Sequence, residues 1–302
     1  MHQLELISPA KINLYLDIIG KRNDGYHIIE TIFEKIDLFD KIQFKSSQAG
    51  IRISTNLPDL PTDGTNLVYK AAALFVQRFK IEEGVDIYVD KKIPIAAGLG
   101  GGSSNAATTL LGLRKFWNLN IKDAELLELA KTLGADVPFF IFNSSFASGH
   151  SRGDEVLPIR SSLSMWHLVV SPPIKVLTKN MYNEATLNLT EKKRDVKILI
   201  RAIEDGNFSV LKKQLYNALE HIAVKKVTEI IWVKEFFTKM GHDAVMVSGS
   251  GPSVFALTTE RKEAVDLKTK LEEMLASKGA RQGWKIFVAK TAGNINNKEH
   301  EF

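Results

Sequence analysis

The sequence predicts a mixed α and β protein organised as about two domains. Three observations carry that expectation. The chain has 302 residues, 44% hydrophobic and 25% charged, which is ample for a sizeable core. Its first half reads as β-rich and then helical, while its second half alternates helices with strands. Between them the composition shifts across "VLPIRSSLSMWHLVV", placing a boundary around residues 155–165 and dividing the chain into 1–160 and 161–295.

The elements follow in order. "LELISPAKINLYLDII" and "HIIETIFEKIDL" mix β-branched and apolar residues, and the "KRNDGY" between them carries a hairpin signal at Asp24-Gly25. "KIQFKSS" and "IRIST" read as further short strands. A helix is expected over 66–80, with Leu67, Ala71, Leu74 and Phe75 on one face. "VDIYVDKKI" alternates as a strand does, and residues 103–117 are apolar at helical spacing. "DAELLELAKTLG" is an amphipathic helix stopping at Gly134, the expected C′ glycine. In "ADVPFFIF", Asp136 precedes Pro138 by two residues, the pattern of a helix N-terminus. The second half predicts a strand over 166–170 and helices over 178–187, 196–204 and 225–240, with Gly241 as a stop. "DAVMVSGSGPSVFALTT" reads as strand, glycine turn, strand. A helix running to Lys278, a last strand in "WKIFVAK" and a frayed tail complete the chain.

Composition excludes several classes of function. The chain has no cysteine, which rules out disulfides and cysteine-ligated zinc or iron–sulfur centres and fits a reducing compartment. Glu5 interrupts the first apolar stretch, so "MHQLELISPAKINLYLDI" lacks a signal-peptide layout. No apolar run approaches the ~18 residues of a membrane span. A cytoplasmic protein without a membrane partner is expected. The net charge of +5 is spread over lysines that often neighbour acids, as in "LKTKLEEMLASKG". That distribution suits solvated helix faces, so no nucleic-acid partner is expected.

The most informative stretch is "IPIAAGLGGGSSNAA", in which four of the five residues from Gly98 to Gly102 are glycine. Successive N–H groups of such a turn form an anion site, and a helix starting just after it adds its positive dipole end. Phosphate is the natural guest. Ser103 and Ser104 can add hydroxyl donors, or an oxygen ligand for the Mg²⁺ that accompanies nucleoside triphosphates. No lysine follows the glycines, which excludes a Walker A loop, and no early βαβ unit with a ribose-binding acid supports a Rossmann site. A phosphate loop without a lysine needs a cation from elsewhere. Lys11, in the apolar strand "SPAKINLYL", is either that cation or a solvent-facing strand lysine. Asp136 is by itself readable as a helix N-cap.

Taken together, "SPAKINLYL", "PIAAGLGGGSSNAA", "LGADVPFF" and "SGSGPSVFAL" resemble the GHMP kinases, named for galacto-, homoserine, mevalonate and phosphomevalonate kinases. The motifs span nearly the whole chain. "AKINLYL" followed by "RNDGYH" narrows the resemblance to the branch whose acceptor is a cytidyl diphosphate sugar alcohol. The resemblance implies an α+β, two-domain GHMP kinase architecture: a ribosomal-protein-S5-like N-terminal domain and a ferredoxin-like C-terminal domain, with the active site between them. It also implies a left-handed βαβ crossover, against the usual hand. ATP with Mg²⁺ would be the phosphoryl donor, the partner a small-molecule substrate, and the enzyme a monomer or weak homodimer. A GHMP kinase for another alcohol, such as homoserine or mevalonate, is the alternative, although those substrates have no base for "GYH" to stack on. A non-catalytic nucleotide- or nucleic-acid-binding protein is the alternative from another class.

Carried over by position, Asp136 matches the catalytic base and Lys11 the lysine that steadies the nucleophilic oxygen. Pro94, Gly98, Gly100, Gly101, Gly102, Ser103, Ser104 and Asn105 match the ATP phosphate loop, while Asn66 and the pair Lys91-Lys92 match positions bordering adenine and ribose. Those lysines are equally readable as exposed strand-end charges. Tyr26 and His27 match the residues that recognise cytosine, and Asn13 a polar substrate contact. His27 alone reads as an ordinary strand histidine. Thr178 and Tyr182 match a threonine and an aromatic that close on the cytosine, or else an N-cap threonine and a core tyrosine. Gly249, Ser250 and Gly251 match a glycine turn near the phosphate site. The resemblance assigns no metal ligand. Two departures stand out: Ser151 replaces a usual glycine in "ASGHSRGDEVLPI", where a positive φ would strain it, and Ala96 and Ala97 stand where many members carry glycine.

Overall fold

The computed structural model describes residues 2–176, 181–182, 184–185, 195–279 and 282–293. Strands β1 (Gln3–Lys21) and β2 (His27–Ser47) form one long antiparallel hairpin around the Asp24-Gly25 turn, with Gly25 at φ 87°. The separate strand expected at "KIQFKSS" is the far end of β2. The hairpin tolerates that length through register shifts at Pro9/Ala10 and Asn13/Tyr15, which bend it without breaking it. Strand β3 (Ile51–Thr55) pairs parallel with β4 (Gly84–Asp90), and α1 (Leu67–Phe79) joins them as a βαβ unit. Asn66 caps α1 by accepting a hydrogen bond from the Val68 N–H at 2.8 Å.

Helices α2 (Gly101–Phe116), α3 (Asp123–Leu133) and the short α4 (Val137–Ile141) follow. Their Leu110, Leu126 and Phe139 share one core with Phe75 of α1 and with Phe44 and Ile87 of the sheet. Gly134 does end α3, yet at φ 165° it is extended, a conformation open to any residue. Two strands absent from the sequence reading come next: β5 (Phe146–His150), paired with β2, and β6 (Glu155–Ile159), paired with β5.

Strand β7 (Trp166–Ser171) opens a second sheet. Helices α5 (Val196–Glu204) and α6 (Phe208–Leu211) lead to a two-residue strand, β8 (Tyr216–Asn217). The helix expected over 225–240 is two, α7 (Glu220–Lys226) and α8 (Thr228–Lys239), separated at Val227, whose φ −130° and ψ 96° are extended. Strands β9 (Val245–Val247) and β10 (Val254–Thr258), helix α9 (Arg261–Ser277) and β11 (Lys285–Lys290) complete the unit. Its four strands run β11-β7-β10-β9 with every pair antiparallel. The last strand beside the first, with helices on one face, is the ferredoxin-like arrangement. Val233, Phe237, Leu267 and Leu271 bury that face against Leu168, Val170 and Val254. The helix expected over 178–187 lies largely outside the described residues.

The two halves interlock. Strand β8 adds to the first sheet, pairing parallel with β1 at Tyr15–Tyr216 and Leu16–Asn217. Glu34 of β2, fully buried, meets His167 of β7 at 3.1 Å and accepts from the Thr291 hydroxyl at 2.6 Å. A buried carboxylate needs such partners, because an unpaired one is costly. No helix among the described residues is long and apolar enough to cross a membrane.

Candidate active site

Strand β4 delivers the chain into the glycine loop, and the loop ends on the first turn of α2. Gly100 occupies the N-cap of α2 at φ 67°, with no side-chain cap, so the leading N–H groups of the helix are available to an anion. Three loop glycines are required by contact, Gly101 among them because a Cβ there would lie 2.9 Å from Cγ2 of Ile93. A Cβ on Gly98 (φ +76°) would lie 2.1 Å from the Ser248 carbonyl oxygen, and one on Gly100 would lie 2.8 Å from Cγ of Lys11. The loop therefore touches the β9–β10 glycine turn on one side and the Lys11 strand on the other. The Lys11 N–H donates to the Leu99 carbonyl at 3.0 Å, and the Ser248 hydroxyl donates to the Gly98 carbonyl at 3.0 Å. Pro94 is half-buried within the loop, and Ala96 adopts φ 53°, a strained value for alanine.

Lys11 is 4% exposed, which removes the reading of a solvent-facing strand lysine. Its Nζ donates to Asn13 Oδ1 at 2.6 Å and lies 3.4 Å from Asp136 Oδ2. Asn13 in turn donates to the Thr31 hydroxyl at 2.8 Å. Residues 11 and 13 share a face of the strand, so the alternation of β1 itself aligns lysine with asparagine. Asp136 does occupy the N-cap position of α4, but its side chain makes no capping bond. The carboxylate is turned to Lys11 instead and remains one-third exposed. A Cβ on Gly249 would lie 3.2 Å from Asn13 Oδ1 and 3.5 Å from Lys11 Nζ. The second-half glycine turn, with Gly249 at φ 55° and Gly251 at φ 75°, thus backs directly onto the Lys11–Asn13 pair.

Several loop positions differ from the expectation. The side chains of Ser104 and Asn105 are buried: the Ser8 hydroxyl donates to Ser104 Oγ at 2.8 Å, and Asn105 Nδ2 donates to Asp40 Oδ2 at 2.8 Å. They anchor the start of α2 from beneath, leaving Ser103, half-buried, as the accessible hydroxyl. Asn66 is occupied with its cap and with the Pro61 carbonyl, to which it donates at 2.5 Å. Lys91 is buried against Asp40, so it is no exposed strand-end charge, while Lys92 is exposed.

At the outer end, the His27 and Tyr182 rings lie 5.6 Å apart, inclined by 36°. Burial, and then the negative charge of Asp136, push the Tyr182 phenol above its ordinary range. One aromatic thus answers both to the carboxylate and to His27. Tyr26 is 57% exposed, with the Arg152 guanidinium 5.4 Å from its ring centroid. Ser151 adopts φ 62°, the positive value its departure from glycine called into question. Its hydroxyl accepts from Arg22 at 2.8 Å, which ties the hairpin tip to this turn. Thr178 lies outside the described residues.

Sequence reasoning missed Lys35. Its Nζ donates to the Phe142 carbonyl at 2.5 Å, at the end of the helix that begins at Asp136, and lies 5.1 Å from the Phe139 ring centroid. No spacing signal marks it. Burial lowers its ammonium to about 7. An unfolded lysine titrates near about 10.4, so between these values the unfolded chain holds a proton that the folded chain has released. Stability is therefore expected to rise as pH climbs from about 7 to about 10, with the burial penalty fully present below that window. Lys35→Met should lose this component, and melting temperature followed against pH for both proteins checks it. Parallel curves would mean that the ammonium is not penalised.

The match to known proteins covers both halves of the chain. Residues 66–144 match the family described as GHMP kinases N terminal domain, and residues 193–277 match GHMP kinases C terminal. A 4-diphosphocytidyl-2-C-methyl-D-erythritol kinase from Acetivibrio thermocellus is 38% identical over 96% of this chain and 100% of its own length. One from Geobacillus kaustophilus is 41% identical over 84% of this chain and 88% of its own. The crystal structure of a 4-(cytidine 5'-diphospho)-2C-methyl-D-erythritol kinase superposes with a TM-score of 0.78 at 29% identity, covering 96% of this chain and all of that one. A homoserine kinase from Cytophaga hutchinsonii gives 0.76 at 18% identity, over 98% and 96% of the two chains, a likeness of fold. With both family domains matched and relatives of this identity over most of its length, the chain belongs to the GHMP kinases, in the family of the 4-diphosphocytidyl-2-C-methyl-D-erythritol kinases.

Proposed function

We propose that this protein transfers the γ-phosphoryl group of ATP to the 2-hydroxyl of 4-diphosphocytidyl-2-C-methyl-D-erythritol, a step of the non-mevalonate route to isoprenoid precursors. The observation that carries the reading is the Lys11–Asp136 pair, 3.4 Å apart, held against the glycine loop by the bond from Lys11 N–H to the Leu99 carbonyl. A proton acceptor, a cation and an anion-binding backbone are the three things an alcohol kinase needs in one place.

Asp136 takes the proton of the acceptor hydroxyl. The freed oxygen forms a bond to the γ-phosphorus, the bond from that phosphorus to its bridging oxygen breaks, and ADP leaves. Lys11 opposes the negative charge that develops on the hydroxyl oxygen, and Asn13 fixes Lys11 in the pose that does so. The N–H groups at the head of α2 take the donor's phosphates. Among the described residues no group of three or more His, Cys, Asp or Glu forms a ready cation cage. A Mg²⁺ accompanying the nucleotide would keep most of its waters and depend chiefly on phosphate oxygens. Ser103, half-buried near the head of α2, would offer it a hydroxyl oxygen, and the ion would supply positive charge for the transferring group. Tyr26, His27 and Tyr182 form the end of the site that accepts the cytosine, by ring contact and by hydrogen bonding from the imidazole.

The test is ADP release from Mg-ATP with three acceptors: the cytidyl compound, homoserine and mevalonate. Turnover is expected with the cytidyl compound alone. Turnover with either of the others would move the acceptor specificity elsewhere, and none with any of them would overturn the kinase reading.

A further inference from the structure

We propose that the buried pair of Asp40 and Lys91 is the positioning element of the phosphate loop, doing from beneath what a loop lysine does from within. The inference rests on the reading of that loop as the site of ATP phosphates. Asp40 is fully buried on β2, and its carboxylate reaches both ends of the loop. Its Oδ1 accepts from the N–H of Lys92 at 2.7 Å and of Ile93 at 2.9 Å, where β4 gives way to the loop. Its Oδ2 accepts from Lys91 Nζ, and from Asn105 Nδ2 at 2.8 Å, on α2 beyond the loop. One carboxylate therefore fixes the residues before the glycines and a residue after them.

Lys91 closes the arrangement. Its Nζ donates to Asn105 Oδ1 at 3.0 Å and would lie 3.2 Å from a Cβ placed on Gly101. A buried ammonium thus sits directly under the first residue of the helix whose N–H groups meet the phosphates. Asn105 also donates to the Ser8 hydroxyl at 2.8 Å, which in turn donates to Ser104, so the fourth and fifth residues of α2 are pinned as well. Glycine gives a loop conformational freedom that an array of aimed N–H groups cannot use. Binding needs donors already in place, because reorganisation at the moment of binding is costly. Every hydrogen-bonding atom of the Asp40 side chain is spent on the loop's two flanks or on the lysine between them. Neither side chain reaches solvent, so the pair acts on ATP through the loop.

The test compares the parent with Asp40→Asn and with the double variant Asp40→Asn/Lys91→Met. The double variant leaves no unpaired charge buried, whereas the single variant orphans the Lys91 ammonium and risks the fold. Each is checked for a cooperative melting transition, then titrated with Mg-ATP by calorimetry and assayed for KM toward ATP and toward the cytidyl acceptor. The double variant is expected to bind ATP roughly tenfold or more weakly, with the acceptor KM within about twofold of the parent. Should neither variant fold, Asn105→Ala cuts one arm of the network and is read by the same split. ATP affinity within about twofold of the parent in a folded variant would overturn the proposal, as would an acceptor KM rising in step with that of ATP. A parent that binds no ATP would overturn the reading of the loop itself, a failure distinct from an unchanged variant.

Discussion

Asp136→Asn is expected to lower kcat by about 10²–10⁴-fold, with ATP affinity held within about twofold. The amide preserves the shape of the side chain and removes its capacity to take a proton. The fold should accept the change, because α4 draws no capping bond from this residue and the side chain is one-third exposed. Lys11 keeps its 2.6 Å bond to Asn13, so its ammonium is not left without a partner. Kinetics under saturating ATP and acceptor, beside a direct ATP titration, check both parts. Near-parental kcat would remove Asp136 from the role of base, and lost ATP binding would show that the substitution had disturbed the loop.

Gly98→Ala is expected to damage stability and activity together. At φ +76° an alanine pays roughly 1–2 kcal/mol for the left-handed conformation. Its Cβ would also meet the Ser248 carbonyl at 2.1 Å, a backbone atom that cannot step aside as a flexible side chain can. Either the phosphate loop or the second-half turn must move. A fall in melting temperature of about 3 °C or more is expected, with a loss in kcat/KM for ATP that exceeds what the lower stability explains at the assay temperature. Gly102→Ala is the stability control, since its Cβ would meet only Leu67 at an ordinary 3.5 Å. Equal melting temperatures for the two variants would mean that the loop and the turn are not in the contact described.

The parts legible in the sequence were those whose chemistry is local. The helix expected over 66–80 was legible from its apolar stripe, and the structure closes α1 at both Asn66 and Lys80. The glycine run and Lys11 stood out because each breaks the pattern of its own element, whereas Asp136 conformed to a helix N-terminus and was singled out by the family resemblance. What the sequence left unread depends on distance. Residues 146–150 are a strand because β2 offers an edge, and 155–159 because β5 then offers its own, whereas "FASGH" alone carries little β preference. Strand β8 is two residues long and exists through its pairing to β1. Asp40 and Lys91 are 51 residues apart, and no spacing rule joins them. Ser104 and Asn105 matched the family's phosphate loop by position, but the helical turn sends their side chains beneath the loop, onto Ser8 and Asp40. The split of the 225–240 helix at Val227 likewise carries no local breaker such as glycine or proline.

The interlocked halves have a consequence for how the enzyme is made. A ribosome adds roughly 5–20 residues per second and releases the N-terminal half first. Lys11 lies on a strand whose neighbour β8 is not yet synthesised at that point. Glu34 must then await His167, 133 residues later, and Thr291, 257 residues later. The Gly98 turn waits 150 residues for Ser248. The nascent first half therefore carries an open sheet edge until β8 is made, and an acid that lacks part of its pairing until Thr291 is. The Lys11–Asn13 pair likewise gains its backing only once Gly249 has been made.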